Sequence, residues 1–188
     1  MKTLILVSAP PACGKTFVGK QIARALAPSV YLDLDNLNPV SRNVCLCSGH
    51  PFDKDGAFFR ENGRDPEYES LLAFGYEALD FADAVILSAP FGKELREEDR
   101  FNDIVARAAE HGARVIPVWI QSNRDQAHRR MISRGADRDV WKLANYEAYT
   151  QTQNFDVPRR LPNLVTVDNT GDDTWRAGVE ELVKRCKD

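Results

Sequence analysis

Gly14-Lys15-Thr16 is the stretch of this chain whose residue types and spacing most directly imply chemistry. It closes the run Ala9-Pro10-Pro11-Ala12-Cys13-Gly14-Lys15-Thr16, which matches G-x-x-x-x-G-K-[ST] except that Ala9 stands at the first glycine. In that pattern the glycine lets backbone N–H groups approach phosphate oxygens, the lysine reaches the outer phosphates, and the hydroxyl ligates Mg2+. Any strand–turn–helix junction could spell GKT by accident. The context fits the chemistry, however: Leu4-Ile5-Leu6-Val7 reads as a buried strand before the loop, and a helix follows it. Pro11, Ala12, Cys13, Gly14, Lys15, Thr16 and Phe17 are therefore the expected phosphate site, with ATP as ligand and Mg2+ as its metal. A Cβ at Ala9 would restrict the backbone if that position required a positive φ.

Two further groups could complete such a site. Asp33-Leu34-Asp35 ends a second candidate strand, and alternation places both carboxylates on one face at the same edge as the loop. Asp35 above all could accept a proton from a substrate hydroxyl or hold hydrated magnesium. The bland alternative is a polar strand end followed by an Asx turn at Asn36. Between Arg124 and Arg138 stand five arginines against two aspartates, in a chain of net charge −3. Arg130 and Arg134 are four apart and share a helix face, and guanidinium forks suit the spread charge of a transferring phosphoryl group. A lid that closes on the phosphates is expected there, with Arg138 and Arg159-Arg160 next in line. A solvated face paired with Asp125 or Asp139 is its alternative.

The elements that must position these residues alternate along the chain. Candidate strands are Thr3–Ser8, Val30–Leu34, Ala84–Ser88, Arg114–Ile120 and Leu164–Asp168, each a near-continuous apolar run of the kind helices cover on both faces. Helices are expected from Gly14 to about Leu26, from Asp65 to about Phe81 and from Glu94 to Glu110. Others should run from a capping box at Ser122 to Gly135, over Asp139–Thr150, and after a cap at Asp172. The pattern predicts a doubly wound α/β three-layer sandwich with a parallel sheet. Val7-Ser8-Ala9-Pro10 and Leu87-Ser88-Ala89-Pro90 echo one another, so two strands should end alike at the ligand-binding edge.

At 188 residues, 43% hydrophobic and 28% charged, the chain reads as one soluble domain spanning 1–188. Its net charge and a pI near 5.7 give no general pull towards nucleic acid or anionic membrane. No run approaches the ~20 apolar residues needed to span a bilayer, and the apolar start is too short for a signal sequence. A cytoplasmic protein is expected. Cys13, Cys45, Cys47 and Cys186 do not make a disulfide framework. Cys45 and Cys47 with His50 invite a zinc reading but fall short of the four ligands of a structural site. Residues 36–65 lack periodicity and carry Arg42, Arg60 and Arg64 with Asp53 and Asp55. Arg42 and Arg60 could grip a substrate carboxylate or phosphate.

The loop at 9–16, Asp33-x-Asp35 after the second strand, and the arginine-rich stretch before a fifth strand together resemble the small P-loop kinases. Gluconate kinase, shikimate kinase, chloramphenicol phosphotransferase and zeta-toxin-type kinases share that plan. The resemblance implies a P-loop fold of strand order 2-3-1-4-5, a substrate segment at about 36–65 and a lid at about 124–150. By position it makes Lys15 and Thr16 the phosphate and magnesium groups, and Asp35 the acid near the acceptor hydroxyl, with Asp33 beside it. Arg130 and Arg134 become the lid, and Asp168-Asn169-Thr170 the adenine rest. Ser88 stands where a Walker-B aspartate would follow the third strand, which shifts magnesium ligation to Asp35 or to water held by Ser88. The activity implied is transfer of the ATP γ-phosphate to a hydroxyl of a small metabolite or antibiotic. Two other readings compete: an RNA or nucleotide-end kinase, which would need a broad basic surface, and a P-loop regulatory ATPase, which would need a Walker-B acid.

Overall fold

Alternation along one strand decides the layering. In β1 (Lys2–Ser8), Leu4 and Leu6 enter one core while Ile5 and Val7 enter the other, and all four are fully buried. A strand apolar on both faces must be covered twice. In the computed structural model, which describes residues 1–136, 139–152, 154–158 and 161–187, it is.

Strands β2 (Val30–Asp33), β3 (Ala84–Ser88), β4 (Ala113–Gln121) and β5 (Val165–Asp168) join β1 in one sheet of order β2-β3-β1-β4-β5, every pair parallel. Helices α1 (Lys15–Ala25) and α9 (Trp175–Lys187) cover one face, setting Val18, Ile22, Val179 and Leu182 against Ile5, Val7, Ile116 and Val167. Helices α4 (Arg64–Leu79) and α5 (Glu98–Glu110) cover the other with Leu71, Leu79, Ile104 and Ala108 on Leu4, Leu6, Leu87 and Val115. Parallel strands put their carboxyl ends at one edge. The register sets Ser88 beside both Val7 and Asp33 there, and Gln121 beside Asp168.

The departures from expectation have local causes. Residues 36–65 hold a 3-10 turn (Leu34–Leu37) and two helices, α2 (Asn38–Cys47) and α3 (Ala57–Asn62). Helix α2 buries Cys45 and exposes Val40, Val44 and Leu46, so no apolar stripe announces it. Helix α5 starts at Glu98 rather than Glu94, because Glu94 and Leu95 are buried in the preceding loop and Glu94 accepts two bonds from Arg64 at 2.9 and 3.0 Å. Helix α6 (Arg124–Arg134) is capped by Asn123, not Ser122: the Asn123 Oδ1 accepts from the Gln126 N–H at 2.8 Å. The helix expected over 139–150 is split into α7 (Val140–Ala144) and α8 (Tyr146–Thr152). Between them the Asn145 side chain donates to the Trp141 carbonyl at 2.9 Å, a side-chain bond that competes with helix continuation. A turn in which the Thr174 hydroxyl accepts from the Gly171 N–H delays α9 past Asp172. Among the described residues no helix is long and apolar enough to cross a membrane.

Candidate functional site: a phosphate loop with a buried aspartate

The loop between β1 and α1 turns on two left-handed residues, Ala12 (φ 60) and Gly14 (φ 88). Ala9 is not one of them; it is buried, and its methyl packs in the α1/α9 core. The missing first glycine therefore leaves the loop's backbone unrestricted, and the left-handed strain sits at Ala12 instead. Gly14 answers a packing demand as well as a ligand's, since a Cβ there would lie 2.2 Å from Asn169 Nδ2. As the N-cap of α1 it has no side chain to bond the first N–H groups, which leaves them and the positive end of the helix dipole to a ligand. The Cys13 thiol is fully buried, and burial pushes it up to about 11 against the pull of Arg130.

Asp33 is where the loop, β2 and β3 meet. Its Oδ2 accepts from Tyr31 Oη at 2.7 Å, Ser88 Oγ at 3.0 Å and Thr16 Oγ1 at 3.3 Å. Its Oδ1 accepts from the Asp35 N–H at 3.1 Å and faces Lys15 Nζ at 3.5 Å. Lys15 donates to Ser88 Oγ at 2.6 Å. Burial pushes the Asp33 carboxyl up, but Lys15, Tyr31, the Asp35 N–H and Ser88 outweigh it and hold Asp33 below the usual carboxylate range. Burial draws the Lys15 ammonium down, with Asp33 and Asp35 resisting.

The pair Asp33 and Asp35 does not share a strand face, as alternation had suggested. The strand ends at Asp33, whose side chain catches the Asp35 N–H in an Asx turn, so the chain curls at the next residue. Asp33 is left 8% exposed and Asp35 49% exposed, and it is Asp33 whose carboxylate meets Thr16. Asp35 faces the helical segment, with Lys54 Nζ at 3.9 Å. Lys54 also pairs with the buried Glu67 at 3.0 Å, and Ser41 donates to the same carboxylate. Of the arginines expected to hold substrate, Arg42 lies exposed over the Phe52 ring at 4.9 Å and Arg60 is exposed on α3. Arg64 is spent on Glu94 and stacks on Tyr68. Cys45 is buried, Cys47 exposed, and His50 stacks on Phe58 at 4.0 Å.

Helix α6 does not present its two arginines as a matched pair. Arg130 reaches behind the loop, donating to the carbonyls of Asn169 at 2.8 Å and Cys13 at 3.5 Å. The buried Asn169 adds its own bond from Nδ2 to the Cys13 carbonyl at 2.8 Å. Arg134 turns away and pairs at 2.6 Å with Asp139, the partner weighed against a lid, although that carboxylate is buried rather than on a solvated face. Arg138, Arg159 and Arg160 lie outside the described residues. Asp168 accepts from the Thr170 N–H and hydroxyl at 3.0 and 2.6 Å, closing the turn after β5. Phe17 is 47% exposed, edge-on to Trp175. Tyr31, Lys54 and Glu67 escaped the sequence reading. Tyr31 had a signal, since it is two residues before Asp33 on one strand and so shares its face; Glu67 had none.

A phosphate-type loop between the first strand and helix of a 2-3-1-4-5 parallel sheet defines the fold of the small P-loop kinases, and the chain has that fold. No protein-family model and no curated protein sequence matches it. Among solved structures it is similar to a candidate kinase of Chloroflexus aurantiacus, with TM-score 0.67, 20% identity and 97% of each chain covered. It is also similar to a gluconokinase of Sinorhizobium meliloti 1021, with TM-score 0.58, 18% identity and 99% of this chain and 95% of that one covered. The APS kinase CysC of Mycobacterium tuberculosis, solved with AMPPNP and APS, gives TM-score 0.53 and 18% identity over 100% of this chain and 98% of that one. At such identities the likeness is one of fold.

Proposed function

We propose that the chain is an ATP- and magnesium-dependent phosphotransferase that moves the γ-phosphate of ATP to a hydroxyl of a small molecule. One observation carries the reading: Lys15, Thr16, Asp33 and Ser88 converge at the carboxyl edge of the sheet, beside an acceptor-side segment that presents Asp35 and Lys54. The residues fit both groups. An uncapped helix start and a lysine suit phosphate oxygens, and a hydroxyl beside a carboxylate kept ionised suits magnesium.

When bound, magnesium would offset the charge on the phosphate oxygens. Lys15 would leave Ser88 and Asp33 for the outer phosphates, and Thr16 and Asp33 would hold the metal. Asp35 takes the acceptor's hydroxyl proton while the acceptor oxygen bonds to the γ-phosphorus and the bond to the ADP oxygen breaks. Asp168 and Asn169 lie on the adenine side, and Arg130 acts through the Cys13 carbonyl to fix the loop. Donor and acceptor sides belong to one domain, working in the cytoplasm where ATP is plentiful.

The Asp33–Thr16 contact would equally serve a regulatory ATPase that uses water as acceptor. ADP release therefore needs measuring with MgATP alone, with a panel of sugars, sugar acids, polyols and hydroxylated antibiotics, and with RNA. Stimulation by a small hydroxyl compound, with a new phosphomonoester in the 31P spectrum, is the expected result. Stimulation by RNA alone, or release indifferent to every acceptor, would overturn it.

A further inference from the structure

We propose that Tyr31 is a positioning residue for magnesium-dependent nucleotide binding: its hydroxyl keeps the Asp33 carboxylate aimed at Thr16 when Lys15 and Thr16 turn to the ligand. This rests on the function proposed above. Asp33 has five polar partners in the free protein, and they are not equivalent. Lys15 and Thr16 are the groups a nucleotide would draw away. Ser88 is shared, since it receives Lys15 at 2.6 Å while donating to Asp33. Tyr31 Oη and the Asp35 N–H are the two donors that need not move, and they hold opposite oxygens of the carboxylate, at 2.7 and 3.1 Å. A carboxylate fixed through both oxygens keeps its direction. Without Tyr31, Oδ2 keeps only the longer bond from Ser88 at 3.0 Å, and that oxygen is held less firmly towards Thr16.

The position of the ring is itself paid for elsewhere in the fold. Gly19 sits in the interior of α1, where glycine is disfavoured against alanine because it loses more backbone freedom. Its explanation is Tyr31: a Cβ at Gly19 would lie 3.0 Å from Tyr31 Cε2 and 3.5 Å from the hydroxyl oxygen. Glycine on the helix thus lets the phenol lie between α1 and β2 with its oxygen at Asp33.

The test is a magnesium titration of binding, read with a fluorescent ATP analogue on the full chain, for wild type, Tyr31→Phe, Gly19→Ala and the double variant. Groups that orient a metal ligand typically change metal affinity by ~10–100-fold when removed. Tyr31→Phe is therefore expected to need about tenfold more magnesium for half-maximal binding. Its affinity for metal-free nucleotide should stay close to wild type, and its melting temperature should fall by no more than the loss of one hydrogen bond to Asp33 accounts for. Gly19→Ala should shift the magnesium requirement the same way, and add nothing once Tyr31 is Phe, because both act through one hydroxyl. Wild-type magnesium dependence in Tyr31→Phe, or a loss of stability without a magnesium shift, removes the positioning role and leaves the proposed function standing. Wild-type binding that ignores magnesium removes both.

Discussion

Asp33 shows how much one residue's meaning depends on its neighbours. Written as Asp33-Leu34-Asp35, the two acids favour Asp35 as the working carboxylate; folded, Asp33 is a buried hub and Asp35 a half-exposed group facing Lys54. What separates them is an Asx turn, a bond from the Asp35 N–H that no periodicity announces. The phosphate loop, by contrast, was legible because its glycine, lysine and threonine each answer a separate chemical demand. At neutral pH Asp33→Asn is expected to destabilise the free protein by about 1.5–3 kcal/mol, the range for hydrogen bonds to a charged group. Since folding lowers the Asp33 value, the wild-type advantage is complete above about pH 4 and fades as pH falls through the lowered value. Urea melts of both proteins across that range check it; a gap that stays constant into acid, or is missing at neutral pH, contradicts the hub. Ala12 offers a second check. With φ 60 it occupies a region that disfavours a Cβ, so Ala12→Gly should raise stability by about 0.5–1 kcal/mol. Ala9→Gly should lower stability, because a buried methyl is lost and no left-handed strain is relieved. Melting temperatures that move the other way would return the strain to Ala9.

Among elements, those with an apolar face were readable and those without were not. All five strands fall within one residue of their sequence-based limits; β1, β3 and β4 are buried along nearly their whole length, which makes them near-continuous apolar runs. Helices α2 and α3 were hidden, since α2 exposes Val40, Val44 and Leu46 and buries only Cys45, and α3 buries only Phe59. Helix α6 was readable as a helix, but its shared arginine face did not give a shared role. Arg130 ties the helix to Cys13 and Asn169, whereas Arg134 serves Asp139, which is only 2% exposed. Arg134→Ala is expected to leave turnover near wild type and to cost about 1–3 kcal/mol in stability by stranding that carboxylate. Arg130→Ala should instead weaken ATP binding, through a loop no longer pinned from behind. Turnover, calorimetry and melting temperature on the two variants separate these roles. A large loss of turnover in Arg134→Ala, with ATP affinity intact, would restore it as a lid residue.

At the scale of the whole molecule, the parallel sheet gathers what lies far apart in sequence. Thr16, Asp33 and Ser88 come from three segments, and the 2-3-1 strand order alone makes them neighbours at one edge. Sequence pattern implied that order only through resemblance, because periodicity says where strands are and not which ones touch. The account stands on a nucleotide held at this edge by Lys15, and calorimetry with MgATP on wild type and Lys15→Ala tests that most directly. The variant keeps four hydrogen bonds to Asp33, so it should fold. Loss of one charge-assisted contact is worth about 1.5–3 kcal/mol, which is about 10–100-fold in affinity. The account predicts measurable binding in wild type and a loss of that size in a folded Lys15→Ala protein. Equal affinity in the two folded proteins would contradict it.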